Sequence, residues 1–487
     1  MLFNSLQFCA FFVIVTSLYF LLPWQQRWKM LLVASCVFYM AFVPAYIVVL
    51  FTTILIDYWM GIKIAASEGK TRRAYLFISI IATCLVLFVF KYFNFVAITV
   101  RQLQGLLGGA ASFPLVNLIL PIGLSFHTFQ SLSYVIEVYR GKQQPERNLG
   151  IYSLYVMFYP QLVAGPIERP QNLLHQFRED HGFDLENFSQ GLRLVAWGFF
   201  QKMVIADRAA EYVNGVYRHW SSFSGLTLII ASLLFSVQVY ADFSGYSTIA
   251  IGCARIMGFR LMRNFNHPYF SCSFSEFWKR WHISLSTWFR DYVYIPLGGN
   301  RVGLSRHYLN LLITFTISGL WHGANWTFVV WGAYNGILLI LESTLAPLTS
   351  RLGNSLLVTA VRRMVTLCLI CIGWVFFRAP HLSDAFAILR RMAGARLLAR
   401  SDWFEATMAF SVSNTSFAVG TITVVLILLF FMVEWMEENG LSAFPDWLRS
   451  FQCQHPWGQE AFTTIALFQA IMMFGVLRAS AFIYFQF

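Results

Sequence analysis

The sequence predicts an all-α, polytopic transmembrane helical bundle, and three observations carry that prediction. Only 12% of the 487 residues are charged while 57% are hydrophobic, about half the roughly 25% charge that clothes a soluble domain. Apolar runs able to cross roughly 30 Å of hydrocarbon recur from end to end. The 49 Phe, 21 Tyr and 16 Trp suit both a lipid-facing surface and the headgroup belts. A soluble chain of this length would divide into about three domains and need a charged surface that this composition does not supply. Nucleic-acid binding, secreted disulfide scaffolds and disordered tails are excluded on the same ground. We read one multi-pass domain over residues 1–487, with about 11–13 membrane segments, some of them broken or re-entrant.

The clearest spans are 7–23, 75–98, 225–250, 417–435 and 461–477. The first is expected to remain as an anchor, since MLFNSL before it carries no basic residue and no small-x-small cleavage site follows. Arg27 and Lys29 come next, and Lys63, Lys70, Arg72 and Arg73 lie in the following long connection. A single helix from Met30 to Asp57 would put these two basic loops on opposite sides of the membrane. A split near Pro44 into two helices puts both inside, with the N-terminus outside. Residues 114–139 contain Pro121 and Gly123, and residues 151–167 contain Pro160, Gly165 and Pro166. Such interrupted segments belong where other helices bury them or where they line a cavity. A third uneven apolar region, 307–342, carries His322 near its middle. The polar stretches 168–190 and 379–407 read as loops.

Charge is concentrated between residues 255 and 306. Eight Arg and Lys stand there against Glu276 and Asp291, which is half of the net +12 of the chain. Basic excess places this segment in the cytoplasm. Ser273 and Glu276 have capping-box spacing, and Trp278, Trp281, Leu285, Trp288 and Tyr292 follow helical spacing after them. The pattern predicts an amphipathic helix at the membrane surface.

Chemistry narrows to a few side chains. The eight cysteines, including Cys453, lie mostly in apolar runs and read as small hydrophobes. Cys368 and Cys371 form a C-x-x-C with no second pair and no His at ligand spacing, so no metal site is expected. Of the ten histidines, seven, His455 among them, fall in loops or at segment ends. His127, His282 and His322 lie in apolar surroundings, where an ionisable group is expensive and therefore a functional candidate. The structural alternative for each is a neutral imidazole bonded to a backbone carbonyl. His322 sits in SGLWHGANW, where Gly319 and Gly323 let another helix or a substrate come close. His282 is placed by helical spacing on the face shared by Trp278 and Leu285. There is no G-x-x-x-x-G-K-[ST] loop, no G-x-S-x-G elbow and no H-E-x-x-H. A buried His without a Ser or Cys partner suits general-base catalysis, in which imidazole takes the proton of a hydroxyl as it attacks a carbonyl. Asn325, Trp321 and Trp326 are conceivable orienting or oxyanion donors.

The runs YADFSGYSTIAIGCARIMGFRLMRNFNHPYFSCSFSEFWKRWHISLSTWFRDYVYIPLGGNR and ISGLWHGANWTFVVWGAYNGILL, with SYVIEVYRG, LYVMFYPQLVAGPIERPQNLL and GWVFFRA, closely resemble the membrane-bound O-acyltransferase family, in its bacterial alginate O-acetyltransferase branch. The resemblance extends over roughly residues 1–390. It implies that His322 in the W-H-G run is the essential residue and His282 in W-H-I-S a second functional one. It also implies a central funnel or tunnel, with an acyl donor entering from the cytoplasm and a hydroxyl acceptor reached from outside. The donor would be acetyl-CoA or another activated acyl group, used as substrate with no permanently bound cofactor. Partners would be periplasmic acetyltransferase proteins and an exported polysaccharide, and the location the bacterial inner membrane. His127 and Thr248 stand where relatives more often carry an aromatic and an Asp, and Glu137 replaces a usual Asp.

The expectation is therefore an O-acetyltransferase acting on an exported polymer of alginate, cellulose or peptidoglycan type. Arg255, Arg260, Arg263, Lys279 and Arg280 are candidates for the donor's phosphates, against the plain alternative of positive-inside bias. D-alanyl transfer to teichoic acid is the enzymatic alternative, and a transporter or channel the non-enzymatic one. The orientation has a direct check. An impermeant thiol reagent applied from outside will leave Cys272, and cysteines introduced elsewhere in 255–306, unmodified, and strong labelling there overturns the topology.

Overall fold

In a computed structural model the described residues are 1–108, 114–163, 165–353, 355–412, 417–440, 456–476 and 482–483. Cys453, His455 and the last residue of the expected 461–477 span lie outside them. The described residues contain helices and no strand, and they form two compact units. The first unit is Met1–Val195 with Ile249–Met262, and the second is Ala196–Thr248 with Arg263–Phe487.

The first unit holds α1 (Leu6–Leu21), α2 (Trp24–Met40), α3 (Tyr46–Ala65), α4 (Gly69–Leu106), α5 (Leu124–Tyr139) and α6 (Leu149–Met157). The split near Pro44 is present, because α2 ends at Met40 and α3 begins at Tyr46. The 75–98 span is the interior of α4, which carries a π-helical turn at Phe88–Tyr92. The expected break before α5 falls at Gly123, whose φ of +77° ends the irregular stretch. A Cβ there would also lie 2.7 Å from the carbonyl oxygen of Leu162, so glycine is required twice over. Residues 158–163 and 165–169 are irregular yet largely buried, as the rule for interrupted segments demands. Asp57 is fully buried on α3, where the hydroxyls of Ser79 and Thr83 on α4 donate to its carboxylate. These bonds supply the polar partners that lipid does not.

Helices α7 (Leu185–Phe199) and α9 (Gly225–Ile256) run from one unit into the other. The second unit adds a π-helix at Phe200–Ala206, α8 (Asp207–Arg218), α10 (Phe274–Arg280) and α11 (Ile283–Phe289). There follow α12 (Leu304–His322), α13 (Trp326–Thr349), α14 (Leu356–Arg378), α15 (Leu382–Ala393), α16 (Arg400–Val412), α17 (Phe417–Asn439) and α18 (Pro456–Phe474). The apolar window of α9 is 83% buried, which is why the helix is hydrophobic on every side. Six helices among the described residues are long and apolar enough to cross a membrane, namely α3, α4, α9, α13, α14 and α17. The larger number of segments expected counted short and broken runs as well, such as the 16-residue α1.

Two expectations need correction. The regions 168–190 and 379–407 are not plain loops, since the first contains a short helix at Pro170–Leu173 and the start of the helix Leu185–Phe199, and the second contains α15 and the start of α16. The amphipathic stretch after Ser273 is not one helix but two, α10 and α11, broken at Trp281 and His282. The capping box itself forms, with Ser273 Oγ accepting from the Glu276 amide at 3.0 Å. The break has a tertiary cause: the Ile283 amide donates to the Asn264 carbonyl and the Asn266 amide to the Arg280 carbonyl. These bonds pull the chain out of helix between α10 and α11.

The α12–α13 hairpin carries His322 and packs through glycine. A Cβ on Gly319 would lie 2.2 Å from the Phe328 carbonyl oxygen, and one on Gly332 would lie 2.3 Å from that of Phe315. Both obstacles are backbone. Gly332→Ala is therefore expected to destabilise the protein by about 1–3 kcal/mol in detergent melts. Gly105→Ala, where nothing lies within 4 Å, is expected to be neutral or slightly stabilising.

Candidate active site

His282 lies in the second unit, between α10 and α11. It is fully buried, and its φ of +42° is one of two positive values among the described non-glycine residues. Such a conformation costs on the order of 1–3 kcal/mol and persists only where surroundings impose it. Asn264, itself 1% exposed, imposes it. Its Oδ1 accepts from the Ser284 amide at 3.2 Å and from Ser284 Oγ at 2.9 Å, while its Nδ2 donates to Ser247 Oγ at 3.1 Å. The backbone donor fixes which end of the amide is oxygen. His282 Nδ1 lies 3.1 Å from that same oxygen, so Nδ1 carries the proton and Nε2 the lone pair. The Phe243 ring stands edge-on to the imidazole, with centroids 4.5 Å apart. Burial, and secondarily the neighbouring His322, push the pKa of His282 well below its ordinary value, so the imidazole is neutral at physiological pH.

His322 is the last residue of α12, 5% exposed. Its ring meets Trp331 of α13 at 5.0 Å and Phe377 of α14 at 5.5 Å. Trp321 stands between the two histidines, with its ring 5.0 Å from His322 and 6.4 Å from His282. The fold thus gathers both W-H motifs around one indole, although forty residues separate them. Gly323 would place a Cβ 2.2 Å from the Phe328 ring, so the close approach that the glycines permit is by a helix.

A cavity of about 650 Å³ lies beside this aromatic group. Trp278, Lys279, Arg290, Tyr294, Thr314 and Ser318 are among its lining residues. Trp278 links it to the imidazole of His322 through Trp331, at 5.9 Å from one ring and 5.0 Å from the other. The walls are mainly apolar, with two cations, Lys279 and Arg290, the latter paired with Asp291 at 2.7 Å.

The five basic candidates are not gathered in one cluster. Lys279 lines this cavity, but Arg280 is already paired with Glu276 at 2.7 Å and Glu438 at 2.8 Å. Arg263 is exposed in the second unit. Arg255 and Arg260 belong to the first unit, where Arg260 lines a separate polar cavity of about 680 Å³ with Glu168 and Gln176. His127, buried on α5, has no hydrogen-bond partner for either ring nitrogen among the described residues. Asn325 is spent as the N-cap of α13, its Oδ1 accepting from the Thr327 amide and its Nδ2 donating to the Pro380 carbonyl. No group of residues able to hold a metal occurs among the described residues. Sequence reasoning singled out none of Asn264, Arg290 and Phe377, although the quoted family runs contain all three.

The profile of the membrane-bound O-acyltransferase family matches residues 73–378. A protein of Pseudomonas aeruginosa named as a probable alginate O-acetylase is 37% identical over 435 residues, covering 88% of this chain and 81% of the relative. The peptidoglycan O-acetyltransferase of Helicobacter pylori is 33% identical over 75% of this chain and 73% of its own length. The teichoic acid D-alanyltransferase of Bacillus subtilis is 25% identical over 64% of this chain and 80% of its own.

The buried neutral His282 makes stability depend on pH. Its folded pKa lies below the unfolded value of about 6.5, so it adds stability above that pH, and the contribution is lost as pH falls through 6.5 toward the folded value. Melting temperature should fall between pH 7.5 and 5, and His282→Gln should flatten that slope. An equally steep slope in His282→Gln would assign the acid sensitivity to other groups.

Proposed function

The chain belongs to the membrane-bound O-acyltransferase family and is an O-acyltransferase, and from that premise we propose that it moves an acetyl group from a cytoplasmic donor to a hydroxyl of an exported polysaccharide. The observation that carries this reading is the pair of buried imidazoles flanking Trp321 beside a cavity suited to the donor. The names of the relatives support an acetyl group and a cell-envelope polymer of alginate or peptidoglycan type. D-alanyl transfer has weaker support, since the relatives so named share less identity over less of the chain.

In the proposed reaction His322 takes the proton of the acceptor hydroxyl as its oxygen attacks the acyl carbonyl. Collapse of the tetrahedral intermediate breaks the bond to the donor's leaving group, a thiolate if the donor is a thioester, and the proton on His322 passes to it. His282, with Nδ1–H held by Asn264, presents a basic Nε2 that orients or relays that proton. The aromatic walls keep water from competing with the hydroxyl. Lys279 and Arg290 bind the donor's phosphates, while Arg255, Arg260 and Arg263 add to the field that attracts it. Acetyl-CoA is the simplest such donor, used as substrate. Periplasmic partner proteins that carry the acetyl group to the polymer, and an inner-membrane location, complete the proposal.

Purified protein in lipid, given labelled acetyl-CoA and either a polysaccharide acceptor or the periplasmic partner proteins, is expected to transfer label. His322→Ala should lower the rate by at least about a hundredfold, whereas Lys279→Ala with Arg290→Ala should chiefly raise KM for the donor. Unchanged label transfer by His322→Ala, or an unchanged O-acetyl content of the exported polymer in cells carrying it, would overturn the reading.

A further inference from the structure

The second unit contains a buried charge cluster that the proposed reaction does not use. Lys202 lies in the π-helix Phe200–Ala206 and is 5% exposed. Its Nζ is 2.9 Å from Asp207 Oδ1 and 2.5 Å from Asp242 Oδ1. Replacing a buried ion pair by apolar residues is often neutral or stabilising, so its presence is better explained by a need for one fixed geometry than by stability. π-Helical turns likewise concentrate where a side chain must be aimed.

The cluster holds the end of the described chain. Asp242 Oδ2 accepts a hydrogen bond from the Ile483 amide at 2.7 Å. Two further bonds guide the chain toward it: Arg208 Nε donates to the Phe474 carbonyl, and the Val476 amide donates to the Met203 carbonyl. Phe482 and Ile483 are 1% and 2% exposed, so they are part of the interior. The Phe482 ring packs 4.8 Å from Tyr246 and 5.5 Å from Phe243. Phe243 is the ring that stands edge-on to His282, and Ser247, one helical turn further along α9, holds Asn264. One stretch of α9 therefore presents Asp242 and Tyr246 to the tail, and Phe243 and Ser247 to the clamp around His282.

We propose that Phe482 and Ile483, anchored on the Lys202–Asp242 ion pair, act as a strap that sets the orientation of the His282 imidazole through Phe243. Lys202, Asp242 and Phe482 are positioning residues and touch no substrate. The inference rests on the functional reading of His282 above only for its consequence in activity, since the orientation of the ring can be measured by itself.

The experiment uses full-length protein in lipid with ¹⁵N-labelled histidine, and His282→Ala assigns the His282 signals. Native protein should show a single Nδ1–H tautomer. Phe482→Ala and Asp242→Asn should melt lower than native protein, and at a temperature where both are fully folded they should show mixed tautomers and a kcat lowered by about tenfold or more with KM near native. Phe482→Leu and Lys202→Arg should retain the native signals and rate. Native His282 signals in both Phe482→Ala and Asp242→Asn would overturn the strap, as would a loss of rate that only follows a loss of melting temperature. Full label transfer by His282→Ala would instead overturn the role given to His282, and the nitrogen signals would still decide the strap.

Discussion

A polar group removed from water must find its partner inside the protein, and this constraint shapes both units. At Asp57, Lys202 and His282, buried groups are surrounded by side chains that define their position. Asp57 is held by hydroxyls from a neighbouring helix, Lys202 by two carboxylates, and His282 by an amide whose own orientation is fixed by a backbone donor. In a protein that is only 12% charged, such groups are few, and each fixes the geometry of what surrounds it.

The site combines polar restraint with aromatic packing. His282 is held by hydrogen bonds in a strained left-handed conformation, while rings of Trp321, Trp331 and Phe377 surround His322. Hydrogen bonds select a tautomer and aromatic edges select a ring plane, and together they leave each imidazole little freedom. The hairpin that delivers His322 depends on backbone contact at Gly319 and Gly332. Catalytic geometry and helix packing are therefore the same structural problem here.

Much of this was legible in the residues. The break at Pro44, the interruption before α5 and the cap at Ser273 each follow from local chemistry and are present. Arg362 and Arg363 interrupt the apolar pattern of α14, so that the helix did not stand out. The amphipathic run misled because Trp278, Trp281, Leu285 and Trp288 are buried whether or not the helix is continuous, so their spacing carries no sign of the break at His282. Asn264, Arg290 and Phe377 were not found by spacing: Asn264 is 18 residues from His282 and is brought to it only by the fold, Phe377 reaches His322 from another helix, and the cavity-facing position of Arg290 is a property of the fold.

By itself the sequence determined the solvent, the class of fold and the two histidine motifs, because composition and short-range patterning are local properties. Tertiary structure alone decided that the two motifs meet at Trp321, that Asn264 chooses the proton position on His282, and that Arg280 is paired while Lys279 faces a cavity. The pairs that decide these outcomes lie 18 residues apart for Asn264 and His282 and 158 apart for Arg280 and Glu438. No local preference encodes such contacts, and the packing of buried helices against one another settles them.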